Sequence, residues 1–212
     1  MKALMMAAAA AIAVASAAPA SADIADGSFE TQGAAMAGSN YCYFGQSCAV
    51  NSPWTGNANA GLQNENNGAW PGAPTPSGTY YAFIQNTGSF GQTFSLNAGT
   101  YALSWLAAGR PAGCCQGNQQ YNVLFDGNVI YTGSTTTGQA FTNIGSNPFV
   151  VTTSGNHTLT FQGLSAGPDN TAFIDNVSLA AVPEPATWAM MMLGFGMVGY
   201  GLRRRSAKVA FA

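Results

Sequence analysis

The chain is poor in charge: only 7% of its 212 residues are Asp, Glu, Lys or Arg, and it has a single histidine. Five of the six Lys and Arg residues lie near the two ends, so Arg110 is the only cation between residues 23 and 181. Seven of the eight acidic residues share that stretch. Binding to nucleic acid requires several cations that neutralise phosphates, so we exclude it. A surface of Asn, Gln, Ser, Thr and Gly suits hydroxyl-rich ligands, and it equally suits a secreted domain that has no ligand.

Motifs of common enzyme classes are also missing. The sequence has no Gly-x-Ser-x-Gly elbow, phosphate-binding loop or metal-binding pair of histidines. His157 precedes the run Thr158–Phe161, which predicts a surface position at the start of a strand. Candidates for the two carboxylates of glycoside hydrolysis are Glu30, Glu65, Asp126 and Asp169. Their spacing singles out no pair, so we predict that the protein is not an enzyme, with a glycan-active enzyme as the alternative.

The N-terminus has the pattern of a signal peptide, which we assign to residues 1–22. A basic residue precedes an apolar run from Ala3 to Ala15, and Ala20-Ser21-Ala22 has the small-x-small form of a signal-peptidase site. We therefore expect export through the Sec machinery and cleavage by signal peptidase. Residues 23–181 then form the folded domain, and their number is that of one domain.

The C-terminal segment 182–212 has three parts: a Pro-Glu-Pro sequence, a short apolar stretch and a basic cluster. Trp188 to Leu202 would span about 22 Å as a helix, whereas a hydrocarbon core of about 30 Å normally needs about 20 residues. We predict a short transmembrane helix over 187–202, with the arginines of the basic stop 203–205 on the cytoplasmic side. An ordinary single-span tail anchor is the alternative.

This order of elements resembles the PEP-CTERM sorting signal. The residues that carry the resemblance are Pro183, Glu184, Pro185, Trp188, Arg203, Arg204 and Arg205. The resemblance implies an exported protein of a Gram-negative bacterium that makes extracellular polysaccharide. It also implies transient anchoring in the inner membrane and processing by an exosortase near the Pro-Glu-Pro, followed by release to the cell surface or the extracellular matrix.

Four cysteines, Cys42, Cys48, Cys114 and Cys115, are typical of disulfide bonds in an exported protein. Three pairings are possible. A 42–48 bond would leave two adjacent cysteines as a strained pair, so we favour two bonds that cross between the early and the late cysteines. A zinc site of four thiolates is the functional alternative, but the spacing contains no Cys-x-x-Cys.

The rest of the chain is patterned as β-strands. Apolar residues alternate with small or polar ones in runs near 80–85, 90–96, 101–105, 121–125, 129–132, 149–153, 157–161 and 171–179. Asp126-Gly127-Asn128 is typical of a tight hairpin turn. About eight strands without a convincing helix predict an all-β fold, a β-sandwich or jelly roll. Residues 31–78 are rich in Gly, Asn, Ala and Pro, and we predict loops there that pack on one end of the sandwich.

A second resemblance rests on three segments. Asp26-Gly27-Ser28-Phe29-Glu30 opens the domain, Gly91 to Tyr101 lies in the middle and Thr171 to Leu179 closes it. Their order resembles the galactose-binding-like jelly-roll modules of carbohydrate-active and cell-surface proteins. Some members hold a structural calcium where the first and last strands meet. The resemblance implies Glu30 and Asp175 as calcium ligands and Asp26 as a weaker third; otherwise Glu30 caps a turn and Asp175 accepts from backbone amides.

For carbohydrate binding, useful side chains are flat rings beside neutral amides. Rings in or near the loop-rich region are Trp54, Trp70, Tyr80 and Tyr81, with Tyr41 and Tyr43 nearby. Rings in such loops also form small cores of their own. Arg110 could reach an acidic ligand or pair with one of the acids, and Trp105 is predicted in the core. We therefore predict a non-catalytic surface or matrix protein that binds extracellular polysaccharide. A structural biofilm-matrix protein without a defined ligand is the alternative.

Overall fold

The computed structural model describes residues 24–36, 39–46, 48, 52–65, 72–111, 117–167, 169–183 and 185–204. Within these ranges the chain forms two helices, α1 (Glu30–Ala34) and α2 (Pro185–Arg204). The strands are β1 (Tyr41–Tyr43), β2 (Thr55–Gly56), β3 (Ala60–Asn64), β4 (Tyr80–Gln85), β5 (Ser89–Leu96), β6 (Gly99–Gly109), β7 (Gln119–Phe125), β8 (Asn128–Thr135), β9 (Thr142–Gly145), β10 (Phe149–Val151), β11 (Gly155–Gly163) and β12 (Thr171–Ala181). The predicted signal peptide, Trp70, Cys114, Cys115, Glu184 and Arg205 lie outside the described residues.

The strands form two antiparallel sheets that pack face to face as a β-sandwich. The first sheet has seven strands in the order β1-β3-β4-β12-β6-β10, with β9 also paired to β6. The second has five strands in the order β2-β5-β11-β7-β8. Apolar side chains from the inner faces of both sheets form one core between them. The predicted all-β sandwich is confirmed.

The core follows from period-two alternation in the long strands. In β6, Tyr101, Leu103 and Trp105 face inward and are at most 2% exposed. The indole N–H of Trp105 donates to the hydroxyl of Tyr121 across the core at 3.1 Å, which satisfies its one polar atom. The predicted core position of Trp105 is confirmed. The hairpin turn between β7 and β8 is also confirmed, because Asp126 and Gly127 both adopt positive φ, as such turns require.

The sequence prediction for residues 31–78 is wrong in part. All eight predicted strands are present, but this segment contributes β1 and β3 to the first sheet and β2 to the second, instead of loops alone. The physical reason is visible in β3, whose first four residues are all buried. A strand covered on both faces shows no alternation of apolar and polar residues, so the period-two signal is missing.

A disulfide bond joins Cys42 in β1 to Cys48, six residues further along the chain. The prediction that bonds would cross from these cysteines to Cys114 and Cys115 is therefore wrong for Cys42 and Cys48. The turn after β1 brings their Cα atoms to 4.9 Å, which is within the range of disulfide-bonded cysteines.

The predicted C-terminal helix is confirmed as α2, but its predicted transmembrane character is not supported. Its glycines and polar residues keep its mean hydropathy low, and none of the helices in the described residues combines the length and apolarity needed to cross a membrane. The side chains of Trp188, Met190 and Phe195 are 53%, 70% and 72% exposed. The apolar side chains of α2 are therefore exposed to solvent.

Candidate functional site

The outward face of the five-stranded sheet is polar and open. It contains a groove of about 380 Å³, which we call the polar groove. Its lining residues are Thr55, Gly56, Asn57, Ser89, Phe90, Gly91, Gln92, Thr93, Thr158 and Thr160. None of these ten residues is charged, and the one aromatic side chain, Phe90, is only 1% exposed.

Gly91 forms the floor of the polar groove. In the sheet it lies between Thr55 of β2 and Thr160 of β11. A Cβ at Gly91 would lie 2.4 Å from the carbonyl oxygen of Leu159, so the position has no room for a side chain. Ser89 and Thr93 follow on the same face of β5 because successive outward residues are two apart. The hydroxyl side chains of Thr55, Ser89, Thr93 and Thr160 thus surround the backbone at Gly91.

Internal hydrogen bonds hold the polar side chains of the groove in place. Asn57 accepts from the backbone N–H of Ser89 and of Asn59, each at 3.1 Å, and its amide donates to the Ser89 hydroxyl. The hydroxyls of Thr93 and Thr158 are 3.0 Å apart across neighbouring strands. One of these two hydroxyls donates to the other, so the acceptor keeps its own proton for an external partner.

Two of the rings predicted to bind sugar, Trp54 and Tyr81, are buried in the fold. Trp54 and Tyr81 are 1% and 0% exposed, so these two predictions are wrong and the packing alternative holds. The indole of Trp54 donates to the backbone oxygen of Asp26 and packs 5.2 Å from the ring of Phe29. Tyr80 is half-buried in contact with the core, and Trp70 lies outside the described residues.

The outward face of the seven-stranded sheet differs because aromatic side chains cover it. We call this the sealed face; its buried residues are Ala73, Tyr81, Phe83, Ala108 and Phe173, with Tyr43 and Phe141 packed against them. Tyr43, Gly61, Phe83 and Phe173 follow one another across four neighbouring strands. A Cβ on Gly61 would lie 2.8 Å from the tip of the Phe83 ring, so the glycine leaves the space in which the Tyr43 and Phe83 rings meet.

The predicted calcium ligands Glu30 and Asp175 lie near the sealed face. Glu30 accepts from the backbone N–H groups of Thr79 and Tyr80, each at 2.8 Å, at the start of β4. Asp175 is fully buried; one carboxylate oxygen accepts from the N–H of Asn176, and the other, Oδ2, has no hydrogen-bond partner. Burial raises the pKa of Asp175 to about 7, and the negative charge of Glu30 adds to the rise.

Asp26, the third predicted ligand, uses both carboxylate oxygens within its own segment. It accepts from the backbone N–H of Thr31 at 3.0 Å and of Gln32 at 2.8 Å, which satisfies free donors at the start of α1. Gln32 is 4% exposed, and both atoms of its side-chain amide lack a partner. In the described part of the chain, no group of three or more His, Cys, Asp or Glu residues is placed to hold a metal ion.

Arg110 pairs with Asp169. The sequence left two uses open for Arg110, binding of an acidic ligand and pairing with an acid, and the structure shows the second. The ion pair is shielded, with the Arg110 side chain 8% exposed and that of Asp169 24% exposed. Gln85 also donates to Asp169. Arg110 is thus engaged at one end of the seven-stranded sheet.

His157 is buried, so the prediction of a surface position is wrong. It is 8% exposed and stacks on Phe125 with a centroid distance of 5.4 Å. Its Nδ1 lies 2.7 Å from Oδ2 of Asp126 and its Nε2 lies 3.0 Å from the carbonyl oxygen of Thr153. Two acceptors face the two ring nitrogens, which favours the doubly protonated ring. The hydrogen bond that Nδ1 donates to Asp126 is the main cause of a His157 pKa raised above 6.5.

The C-terminal tail leaves the sandwich at a fixed point. β12 pairs with β6 as far as Ala181, opposite Tyr101, and the N–H of Val182 donates to the carbonyl oxygen of Thr100 at 2.8 Å. Pro183 follows and is exposed, and α2 begins at Pro185. Residues 181–205 match the family model of the PEP-CTERM protein-sorting motif.

The tail is a PEP-CTERM sorting motif. It indicates an exported protein that is sorted to the cell envelope and processed by an exosortase. The sequence prediction of this motif is confirmed. Three of the predicted sorting residues, Pro183, Trp188 and Arg203, have exposed side chains.

Several solved structures have a fold similar to that of this chain. An apo form of a cyclase from Fischerella sp. aligns with a TM-score of 0.53 and 15% identity, over 79% of this chain and 98% of that chain. A cyclase from Fischerella sp. TAU gives 0.52 and 16%, over 78% and 98%. TmCBM61 in complex with β-1,4-galactotriose gives 0.48 and 19%, over 76% and 99%. At these identities the similarity concerns the fold alone. No curated protein sequence matches the chain.

The sequence did not reveal the polar groove, because the groove contains no exposed ring and no charge. Gly91 within an alternating strand was a usable signal, since a glycine inside a strand often marks close approach of another group. The partner positions Thr55, Thr158 and Thr160 could not be assigned to it, because they come from strands whose register the sequence does not reveal.

Proposed function

We propose that this exported protein binds extracellular polysaccharide and has no catalytic role. The observation that carries the proposal is the outward face of the five-stranded sheet, which offers hydroxyl and amide groups in a strand-by-strand array. Outside the polar groove, this array continues with Asn122 and Thr132, whose side chains bond each other at 2.8 Å. Neutral donors and acceptors at fixed positions suit the many hydroxyls of a sugar chain.

The placement of the acidic residues supports a role without catalysis. Glu30 and Asp26 accept from backbone amides, Asp169 pairs with Arg110, and Asp126 pairs with His157. Glu65 accepts from the backbone N–H of Thr75 at 3.3 Å. Each of these carboxylates is engaged in holding the fold, whereas glycoside hydrolysis needs two of them facing one open site.

The sorting motif supports the cellular part of the proposal. An exosortase would recognise the exposed tail and act near Pro183 and Pro185, which lie directly after the last strand. Processing there would leave β12 and its pairing with β6 intact. We further propose a Gram-negative origin and a final location at the cell surface or in the extracellular matrix.

A structural calcium is the second part of the proposal, and two neighbouring carboxylates support it. Calcium takes six to eight oxygen ligands, which include carboxylates and neutral carbonyl oxygens. Asp175 supplies a buried carboxylate oxygen without a partner, and Glu30 is close enough to raise the pKa of Asp175. A cation held by Asp175 and Glu30 would compensate the charge that burial disfavours; Asp26 is engaged with α1 and contributes less.

The test is a glycan array and a polysaccharide pull-down with the full chain, once with calcium and once with a chelator. Saturable binding to defined glycans supports the proposal, and binding that the chelator abolishes assigns a supporting role to the calcium site. Release of reducing sugar that a Glu65→Gln change abolishes would instead identify a glycan-active enzyme. Binding to no glycan under either condition would contradict the proposal and leave a structural matrix protein. Trp54→Ala is unsuited to this test, since the buried indole would affect folding.

A further inference from the structure

We propose that the polar groove is the polysaccharide-binding site and that it selects uncharged chains; this inference rests on the proposed function. The groove is large enough for a small ligand, since its volume of about 380 Å³ lies within the usual range of such sites. It is open rather than enclosed by walls, so a long chain can lie across it. The ligand is therefore an internal stretch of a polysaccharide and not a chain end.

The floor of the groove explains how a sugar can approach closely. Gly91 has no side chain, and the hydroxyls of Thr55, Ser89, Thr93 and Thr160 stand around it. A pyranose ring that lies across the groove can meet hydroxyl groups of β2, β5 and β11 on both sides of Gly91. An alanine at this position would clash with the carbonyl oxygen of Leu159 on the neighbouring strand.

The hydrogen-bonding groups of the groove are held before a ligand arrives. Asn57 is fixed by backbone and side-chain bonds to Ser89, and Thr93 is bonded to Thr158. Binding therefore orders few side chains, which lowers its entropic cost. No exposed ring is present among the lining residues, so affinity comes from several modest hydrogen bonds instead of stacking.

Charge decides the ligand class. The ten lining residues carry no charge, and the two cationic side chains of the domain, Arg110 and the protonated His157, are each buried in a pair with an aspartate. Seven acids outnumber these two cations and give the domain a negative field, which repels polyanions. A carboxylate of a uronic acid would lose water in the groove without gaining a cation. Neutral hexose or pentose chains fit this environment, and polyuronates do not.

The experiment compares two matched double variants of the full chain. Thr93→Val with Thr158→Val removes two groove hydroxyls and keeps the branched shape of both side chains. The control, Thr136→Val with Thr137→Val, changes two exposed threonines in the turn after β8, outside both the polar groove and the strands of the sheet. Affinity electrophoresis measures binding to the neutral probes β-1,4-galactan, β-glucan and dextran, and to the polyuronates alginate and polygalacturonate. Thermal melting confirms that each variant folds.

We expect the groove variant to bind its best neutral polysaccharide about tenfold more weakly than the wild type, because two hydrogen bonds are lost. The control should stay within about twofold, and polyuronates should bind at least about tenfold more weakly than that neutral polysaccharide. If the wild type binds and the groove variant binds equally well, the groove is not the site. Equal or tighter binding of polyuronates overturns the ligand class. A wild type that binds no polysaccharide contradicts the proposed function itself. If the double variant melts early, Thr160→Val provides the same comparison with one hydroxyl removed.

Discussion

The outward faces of the two sheets differ although both sheets are built from alternating strands. On the seven-stranded sheet, outward positions hold Tyr81, Phe83 and Phe173, and these rings bury one another; Tyr81 and Phe173 are 4.9 Å apart. On the five-stranded sheet, the equivalent positions hold Thr93 and Thr158, which stay exposed. One face thus adds a second apolar cluster to the molecule, while the other remains available to a ligand.

This difference separates stability from binding. Burial of large apolar side chains stabilises the folded state, so the sealed face contributes to the free energy of unfolding. Exposed hydroxyls contribute little to it, which leaves their positions free to serve recognition. The sealed face is also where Asp175 is buried without a partner for Oδ2, a cost that the surrounding packing must offset.

The largest expected effect comes from a truncation on the sealed face. Phe173→Ala should lower the free energy of unfolding by about 3–5 kcal/mol, because it leaves a cavity beside Tyr81 and Phe83. Thr158→Ala on the open face should change it by less than about 0.5 kcal/mol. Urea unfolding followed by tryptophan fluorescence measures both. Equal losses for the two variants would show that the faces do not differ in this way.

Part of this comparison could be predicted from the sequence. Alternation placed Trp105 in the core and located eight of the twelve strands, and the clearest of these bury one face, such as β6 and β7. It missed β1, β2, β3 and β9, since short strands and strands buried on both sides carry no period-two signal. The PEP-CTERM motif was predicted in full, because a sorting tail is read as linear sequence and needs no tertiary contact.

The site could be predicted less well, because it depends on which strands are neighbours. Trp54 and Tyr81 were candidate sugar-binding rings with packing as the alternative, because ring chemistry does not tell whether loops or sheets cover them. His157 was predicted at the surface, but the turn after β7 brings Asp126 against it. Glu30 and Asp175 were predicted as neighbours only from a family resemblance. They are 145 positions apart in the sequence, so no sequence pattern indicates that they lie close together.

The second-largest expected effect concerns Asp175, the buried acid near the sealed face. Saturating calcium should raise the melting temperature of the wild type by about 5–10 °C, since binding at a hundred times Kd adds about 2.7 kcal/mol. Asp175→Asn should abolish this shift. In chelator at pH 8, the variant should be at least as stable as the wild type, because it removes a buried carboxylate that has an unpartnered oxygen. Differential scanning calorimetry checks both results.

Asp26→Asn is the control that separates the calcium ligands from the acid that caps α1. It should keep the calcium-dependent shift, because both Asp26 oxygens accept from backbone amides of α1. Its own loss of stability should be at most about 1 kcal/mol, since asparagine can also cap a helix. A wild type that does not respond to calcium, or an Asp175→Asn variant that responds fully, would remove the calcium proposal.

The smallest effect lies on the five-stranded sheet, where the ion pair of Asp126 and His157 joins the β7–β8 turn to the start of β11. The hydrogen bond that His157 donates to Asp126 raises the pKa of His157 above 6.5. Desolvation raises the pKa of Asp126, but hydrogen bonds from His157 and Thr158 outweigh it and leave the pKa below 3.8. NMR titration of the single histidine should show the raised value, and Asp126→Asn should lower it.

The signs of these two shifts fix the pH window in which the pair stabilises the fold. The histidine part is fully present below pH 6.5 and is lost as pH rises through its raised folded pKa. The aspartate part is present above pH 3.8 and is lost as pH falls through its lowered folded pKa. His157→Gln should therefore cost most stability between these values, by less than about 1 kcal/mol because the Asp126 side chain is 43% exposed. A cost that is constant from pH 4 to pH 9 would show that His157 acts through packing on Phe125 and not through its charge.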